Sequence, residues 1–104
     1  MIIYKSSTKE IRPEQLEGFF MGWLTKPSQE THLNILQDSA FVIMAIDDQT
    51  NNVIGFVNAI SDKILSAYIP LLEVLPEYQK QGIGKELMIR MLEKLSKIYI
   101  SPKL

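Results

Sequence analysis

The chain of 104 residues sets eleven Lys and Arg against twelve Asp and Glu, a net charge of −1, with 46% apolar residues and no cysteine. That length suits a single domain, residues 1–104, burying roughly 60 to 70% of the surface its unfolded form would expose. The near-neutral balance leaves no electrostatic footprint for nucleic acid or an anionic membrane, and the absence of cysteine excludes disulfides, thiolate metal ligands and a cysteine nucleophile.

In chain order, Ile2 to Tyr4 reads as a short strand that the polar SSTKE breaks. MIIYKSSTKE has no long apolar run behind a basic segment, and no stretch approaches about eighteen apolar residues; no signal peptide or membrane span is expected, and the cytoplasm is the default setting. Pro13 suits the first turn of a helix, and Leu16, Phe19, Phe20 and Trp23 then fall on one helical face, as a core-facing helix requires. Gly18 and Gly22 weaken that helix by about 1 kcal/mol each relative to Ala. Thr25 to Ser28 reads as a turn, with Ser28 placed to cap a shorter helix carrying Leu33 and Leu36 and ending near Asp38.

The run AFVIMAI, Ala40 to Ile46, is apolar on both alternations, as in a strand covered on both faces. DDQTNN turns the chain into a second hairpin arm, Val53 to Ile60, which Gly55 and Asn58 interrupt; this context makes Asp47 and Asp48 turn formers rather than an acidic pair. Ser61, Asp62 and Lys63 turn the chain again into a long strand, Ile64 to Leu75. Pro70 cannot donate to a ladder, so a bulge or an unpaired edge is expected there. The expected order is β, α, α, β, β, β, α.

After the strand LLEVL come Pro76, a short Gly-containing loop and a helix whose apolar Leu87, Met88, Met91, Leu92, Leu95 and Ile98 recur at helical spacing. Glu86 and Arg90, and Glu93 and Lys97, are paired four apart on its wet side. The first turn offers backbone N–H groups with no intrahelical partner and little side-chain cover, an end suited to a phosphate. It is not a Walker A loop, because Gln79 and Glu86 occupy positions that must be Gly and Ser or Thr, nor a dinucleotide fingerprint, because Leu87 stands where a third Gly is required.

The remaining pattern, Val74, Pro76, Gln79, Gly82 and Gly84 spelling V-x-P-x-x-Q-x-x-G-x-G between a strand and an amphipathic helix, resembles the acetyl-coenzyme A signature of the GNAT N-acetyltransferase superfamily. The resemblance covers nearly the whole chain. It implies a mixed α+β, three-layer fold: a mostly antiparallel central sheet with helices on both faces, here without the usual C-terminal strands. It also implies that the sheet splays beside its fourth strand, where the pantetheine arm lies. Backbone groups of Leu72 to Val74 would bond the pantetheine amides, and those of Gln79, Lys80, Gln81, Gly82, Ile83, Gly84 and Lys85 the pyrophosphate. A Cβ at Gly82 or Gly84 would stand between loop and phosphate. Lys80 and Lys85 either touch phosphate or form a solvated face.

The implied activity is acetyl transfer from acetyl-CoA to an amine of a small molecule or a protein; the alternatives are a non-catalytic CoA-binding module or a fragment completed by another chain. Transfer to an amine needs a base and a proton source for the leaving thiolate. Glu73, the one carboxylate inside the long strand, is the candidate base, against the plainer role of a charge protecting a sheet edge. Tyr68, beyond the bulge, is placed to hold a water or simply to pack. His32, the single histidine, is expected at the surface rather than at substrate. No metal site is visible. Members of this family usually continue with further strands that commonly carry a general-acid Tyr, and no residue here corresponds to it; Ile98 to Ile100 would open a fifth strand and Tyr99 is not a match. An unpaired fourth strand then predicts a homodimer.

Overall fold

The computed structural model describes residues 1–98. Four strands, β1 (Ile2–Lys5), β2 (Phe41–Asp47), β3 (Asn52–Ser61) and β4 (Ala67–Val74), form one antiparallel sheet in sequential order. Helix α1 (Gln29–Asp38) lies on one face and α2 (Ile83–Ser96) on the other. The period-two alternation divides the strands between two cores: Val42, Met44, Ile46, Val53 and Phe56 pack with Leu33 and Leu36 of α1, while Ile43, Ala45, Ile54, Val57 and Ala59 pack with Ile83, Leu87, Met91 and Leu95 of α2. Covering on both faces explains why β2 and β3 read as continuous apolar runs. The expected three layers are present.

The first expected helix is not. Only Pro13–Leu16 is helical, as a single 3-10 turn, after which Gly18 (φ 96°), Phe20 (φ 64°) and Gly22 (φ 86°) are all left-handed. Three such residues within five cannot continue a right-handed helix. The reversal still buries Phe19 and Phe20 but turns Trp23 outward, 51% exposed, so Trp23 does not belong to the core the helical spacing assigned it to. Helix α1 begins as expected, with Ser28 Oγ accepting the Thr31 N–H at 3.0 Å.

Strand β4 starts at Ala67 rather than Ile64. The Oδ1 of Asp62 accepts N–H groups from Ile64 at 2.9 Å, Leu65 at 2.9 Å and Ser66 at 3.1 Å, so this backbone is bonded to a side chain instead of a ladder. Those N–H groups, Leu65's foremost, lower the Asp62 carboxyl to about 2. The register passes from Asn58↔Leu71 to Ile60↔Tyr68, three steps on β4 against two on β3, which places an extra residue at Ile69–Pro70 and meets the expectation from Pro70. In α2, Glu86 and Arg90 pair at 2.8 Å, whereas Glu93 and Lys97 form no ion pair because the helix ends at Ser96 and Lys97 caps it. Tyr99 and most of the expected fifth strand lie outside the described residues.

Candidate functional site

Helix α2 begins at Ile83 with Gly82 as its N-cap, left-handed at φ 83° and without a side chain to cap the first turn. The N–H groups of Ile83, Gly84 and Lys85 therefore have no intrahelical acceptor, and the first turn-closing bond is Glu86 N–H to Gly82 O at 3.0 Å. Ile83 is buried and anchors this end on the sheet. A Cβ on Gly82 would meet nothing within 4 Å and would project into open space, besides forcing a left-handed L residue. At Gly84, which also lines the cavity, a Cβ would face Val74 Cγ2 at 3.7 Å, an ordinary contact, so helix–strand packing there tolerates a side-chain carbon.

Leu72, Glu73, Val74, Tyr78, Gln79, Lys80, Gly82, Ile83, Gly84 and Lys85 line one open cavity of about 380 Å³. All the expected cofactor residues meet there except Gln81. Gln79 has less to offer than expected: its N–H goes to Pro76 O at 3.3 Å, and its side-chain amide donates to Val74 O at 2.9 Å, fixing the loop to the strand end. Lys80 is left-handed (φ 64°) and, with Gly82, curls the chain into α2. Lys80 and Lys85 are exposed cations on the rim with no carboxylate partner among the described residues.

Among the described residues β4 is an edge of the sheet. Leu75 donates its N–H to Ile54 O at 2.9 Å, and antiparallel alternation then turns the backbone of Glu73 and Leu71 toward β3, leaving that of Leu72 and Val74 on the open side. A linear group lying along this edge would meet backbone donors and acceptors.

Glu73 pairs with Phe56, so its side chain shares the α1 face with Phe56 while its stem borders the cavity on the edge. It is half-buried, and Oε1 accepts the N–H of Phe20 at 2.9 Å. This bond joins β4 to the left-handed turn and leaves Oε2 without a protein partner among the described residues. The carboxylate is thus a tethered charge at the sheet edge. Tyr68, paired with Ile60, falls on the same face of the sheet, but it is 65% exposed and does not line the cavity with Glu73.

Sequence reasoning missed two participants. His32 is not at the surface: it is 1% exposed, boxed by Phe56 (ring centroids 4.5 Å), Phe20 (4.8 Å) and Phe19 (5.3 Å), with neither ring nitrogen hydrogen-bonded. Desolvation lowers its pKa from 6.5 to about 4. The amide of Phe20 was the other omission, and Gly18 and Gly22 bracketing the Phe-Phe pair were the signal for it. Asp47 has a role beyond its turn: its Oδ2 accepts the Tyr78 hydroxyl at 2.7 Å, tying the β2–β3 turn to the segment that leads into α2, and this bond holds the Asp47 carboxyl below and the Tyr78 phenol above their usual ranges. No group of three or more His, Cys, Asp or Glu among the described residues is arranged to hold a metal, and no helix there is long and apolar enough to cross a membrane.

Residues 8–100 match the acetyltransferase (GNAT) family. The chain is 30% identical over 103 residues to the uncharacterised N-acetyltransferase ycf52 of Porphyra purpurea, covering 95% of this chain but only 59% of that relative. Among solved structures, a proposed acetyltransferase from Deinococcus radiodurans R1 superposes with a TM-score of 0.89 at 43% identity, over 95% of this chain and 68% of that one. The ribosomal-protein-S18-alanine N-acetyltransferase of Escherichia coli, at 17% identity and a TM-score of 0.70 over 93% of this chain and 61% of its own, shares the fold.

Proposed function

We propose, from the premise that this chain belongs to the acetyltransferase (GNAT) family, that it transfers an acetyl group from acetyl-coenzyme A to an amine, in the cytoplasm. The observation that carries the reading is the uncapped start of α2 behind a left-handed Gly82, opening on a cavity that continues to the free edge of β4. The N–H groups of Ile83, Gly84 and Lys85, the helix dipole and the two rim lysines supply what a pyrophosphate needs. The backbone of Leu72 and Val74 supplies what an amide-bearing arm needs, and the bound cosubstrate supplies the activated acetyl group.

Near the end of β4, Oε1 of Glu73 is committed to Phe20, which fixes the carboxylate and leaves Oε2 to accept a proton. The neutral amine nitrogen bonds to the acetyl carbon while the carbon–sulfur bond breaks. The amine proton passes to Glu73, directly or through a water, and the thiolate takes a proton from solvent. Calorimetric titration with coenzyme A followed by acetyl transfer to a panel of amines tests binding and turnover separately. Saturable binding, activity that rises with pH, and a lower rate for the isosteric Glu73→Gln are expected; equal rates for the two proteins remove Glu73 from the mechanism.

A further inference from the structure

The turn that holds Glu73 also displays an unusual surface. Trp23 donates its N–H to Phe20 O at 3.2 Å, closing a four-residue turn whose third residue, Gly22, has the positive φ that a type II turn demands. Its outer side carries Met21, 70% exposed, Trp23, half exposed, and Leu24, fully exposed, with the Trp23 ring 4.9 Å from that of Phe20. Three large apolar side chains in four residues are thus anchored by a backbone bond to a carboxylate whose other oxygen has no protein partner among the described residues. Gly18 lies over Leu75, its Cβ position 3.1 Å from Leu75 Cδ2, so the segment 18–20 runs beside the end of β4 and the residue that follows it. Beyond Gly18, about 7 Å along the strand from Glu73 by the rise of two residues, opens a cavity of about 320 Å³. Met21, Ile54 and Leu75 supply its apolar wall and Glu17 and Glu77 its charge, and no Lys or Arg lines it.

We propose that the acceptor is a small primary amine with an apolar, uncharged tail, its head at Oε2 of Glu73 and its tail on the Met21–Leu24 turn. This rests on the acetyltransferase reading and narrows it. An apolar tail covers side chains that water otherwise wets, and a positively charged amine arriving among Glu17, Glu73 and Glu77 is attracted. An amino acid carrying its own carboxylate would meet Glu17 and Glu77 in the cavity beside Gly18, which no Lys or Arg lines, as well as Glu73. The class is therefore alkyl- and arylalkylamines, not amino acids.

Trp23 is the only tryptophan of the chain, so its emission reports on the turn directly, with no acetyl donor present. Titration with phenethylamine should give a saturable change at least tenfold tighter than with ethylamine or phenylalanine, and Met21→Ser, at an exposed position, should weaken it several-fold. Equal response to phenethylamine and ethylamine, or to phenethylamine and phenylalanine, overturns the proposal. So does an emission that shifts with protein concentration instead of with amine, which would make the turn a contact between copies, or tighter binding of a peptide with an apolar N-terminal residue. Saturable, tail-dependent binding without acetyl transfer would leave the surface standing and remove the enzyme reading; acetyl transfer indifferent to the tail would do the reverse.

Discussion

A buried imidazole with neither nitrogen hydrogen-bonded makes His32 the residue that ties this fold to pH. Its folded pKa of about 4 lies below the 6.5 of the exposed ring, so between those values the unfolded chain binds more protons and stability rises with pH. The contribution is whole above pH 6.5 and is lost as the pH falls toward 4, up to about 3 kcal/mol. Urea melts at pH 7.5 and 4.5 should show a larger drop for the wild type than for His32→Leu; parallel drops would take the imidazole out of the account. Sequence reasoning put this residue at the surface, since nothing local to a lone His beside Leu33 on a short helix shows that Phe19, Phe20 and Phe56 close around it. The two loop glycines were legible as a pair but not as individuals. Gly82→Val should weaken coenzyme A by tenfold or more, about 1.4 kcal/mol, through strain and a side chain in open space, whereas Gly84→Ala should stay within twofold because its Cβ meets only Val74. Calorimetry on both variants separates the roles, and equal losses would restore a common one.

Among the elements, the central strands and the last helix were legible because a short continuous apolar run, AFVIMAI, and a period of 3.6 in Leu87, Met91 and Leu95 leave distinct apolar patterns. The segment 17–24 was not, because Phe19, Phe20 and Trp23 mimic a helical stripe while their backbone is set by tertiary contacts: the Glu73 hydrogen bond and the His32 box. The open edge of β4 is the element with the strongest expected consequence. Among the described residues Leu72, exposed beside unpaired backbone, is protected only by the Ile69–Pro70 bulge and by Glu73, and such an edge invites a second strand. A symmetric homodimer is the expected state, since a two-fold contact buries one patch on both copies. Light scattering after size exclusion at micromolar concentration should give a mass near twice the chain's 11.9 kDa; a concentration-independent monomer would show the edge is covered or silent.

For the whole molecule, the sequential sheet order β1-β2-β3-β4 has a kinetic meaning. Strands β2, β3 and β4 are joined by tight turns, so their pairing closes short loops, and α2 follows directly to cover Val57 and Ala59. Strand β1 must instead wait for the whole stretch between Lys5 and Phe41 to be spanned, at a higher entropic cost. The expected transition state is a formed three-stranded meander under α2, with β1, the 17–24 turn and α1 added downhill. In stopped-flow experiments Val57→Ala should mainly slow folding, with a φ-value near 0.5 or above, and Leu36→Ala should mainly speed unfolding, with a value near zero. The cofactor end of the molecule would then take shape before the face that carries Glu73's tether, so a partly opened chain would lose hold of its acceptor side first while still presenting the start of α2.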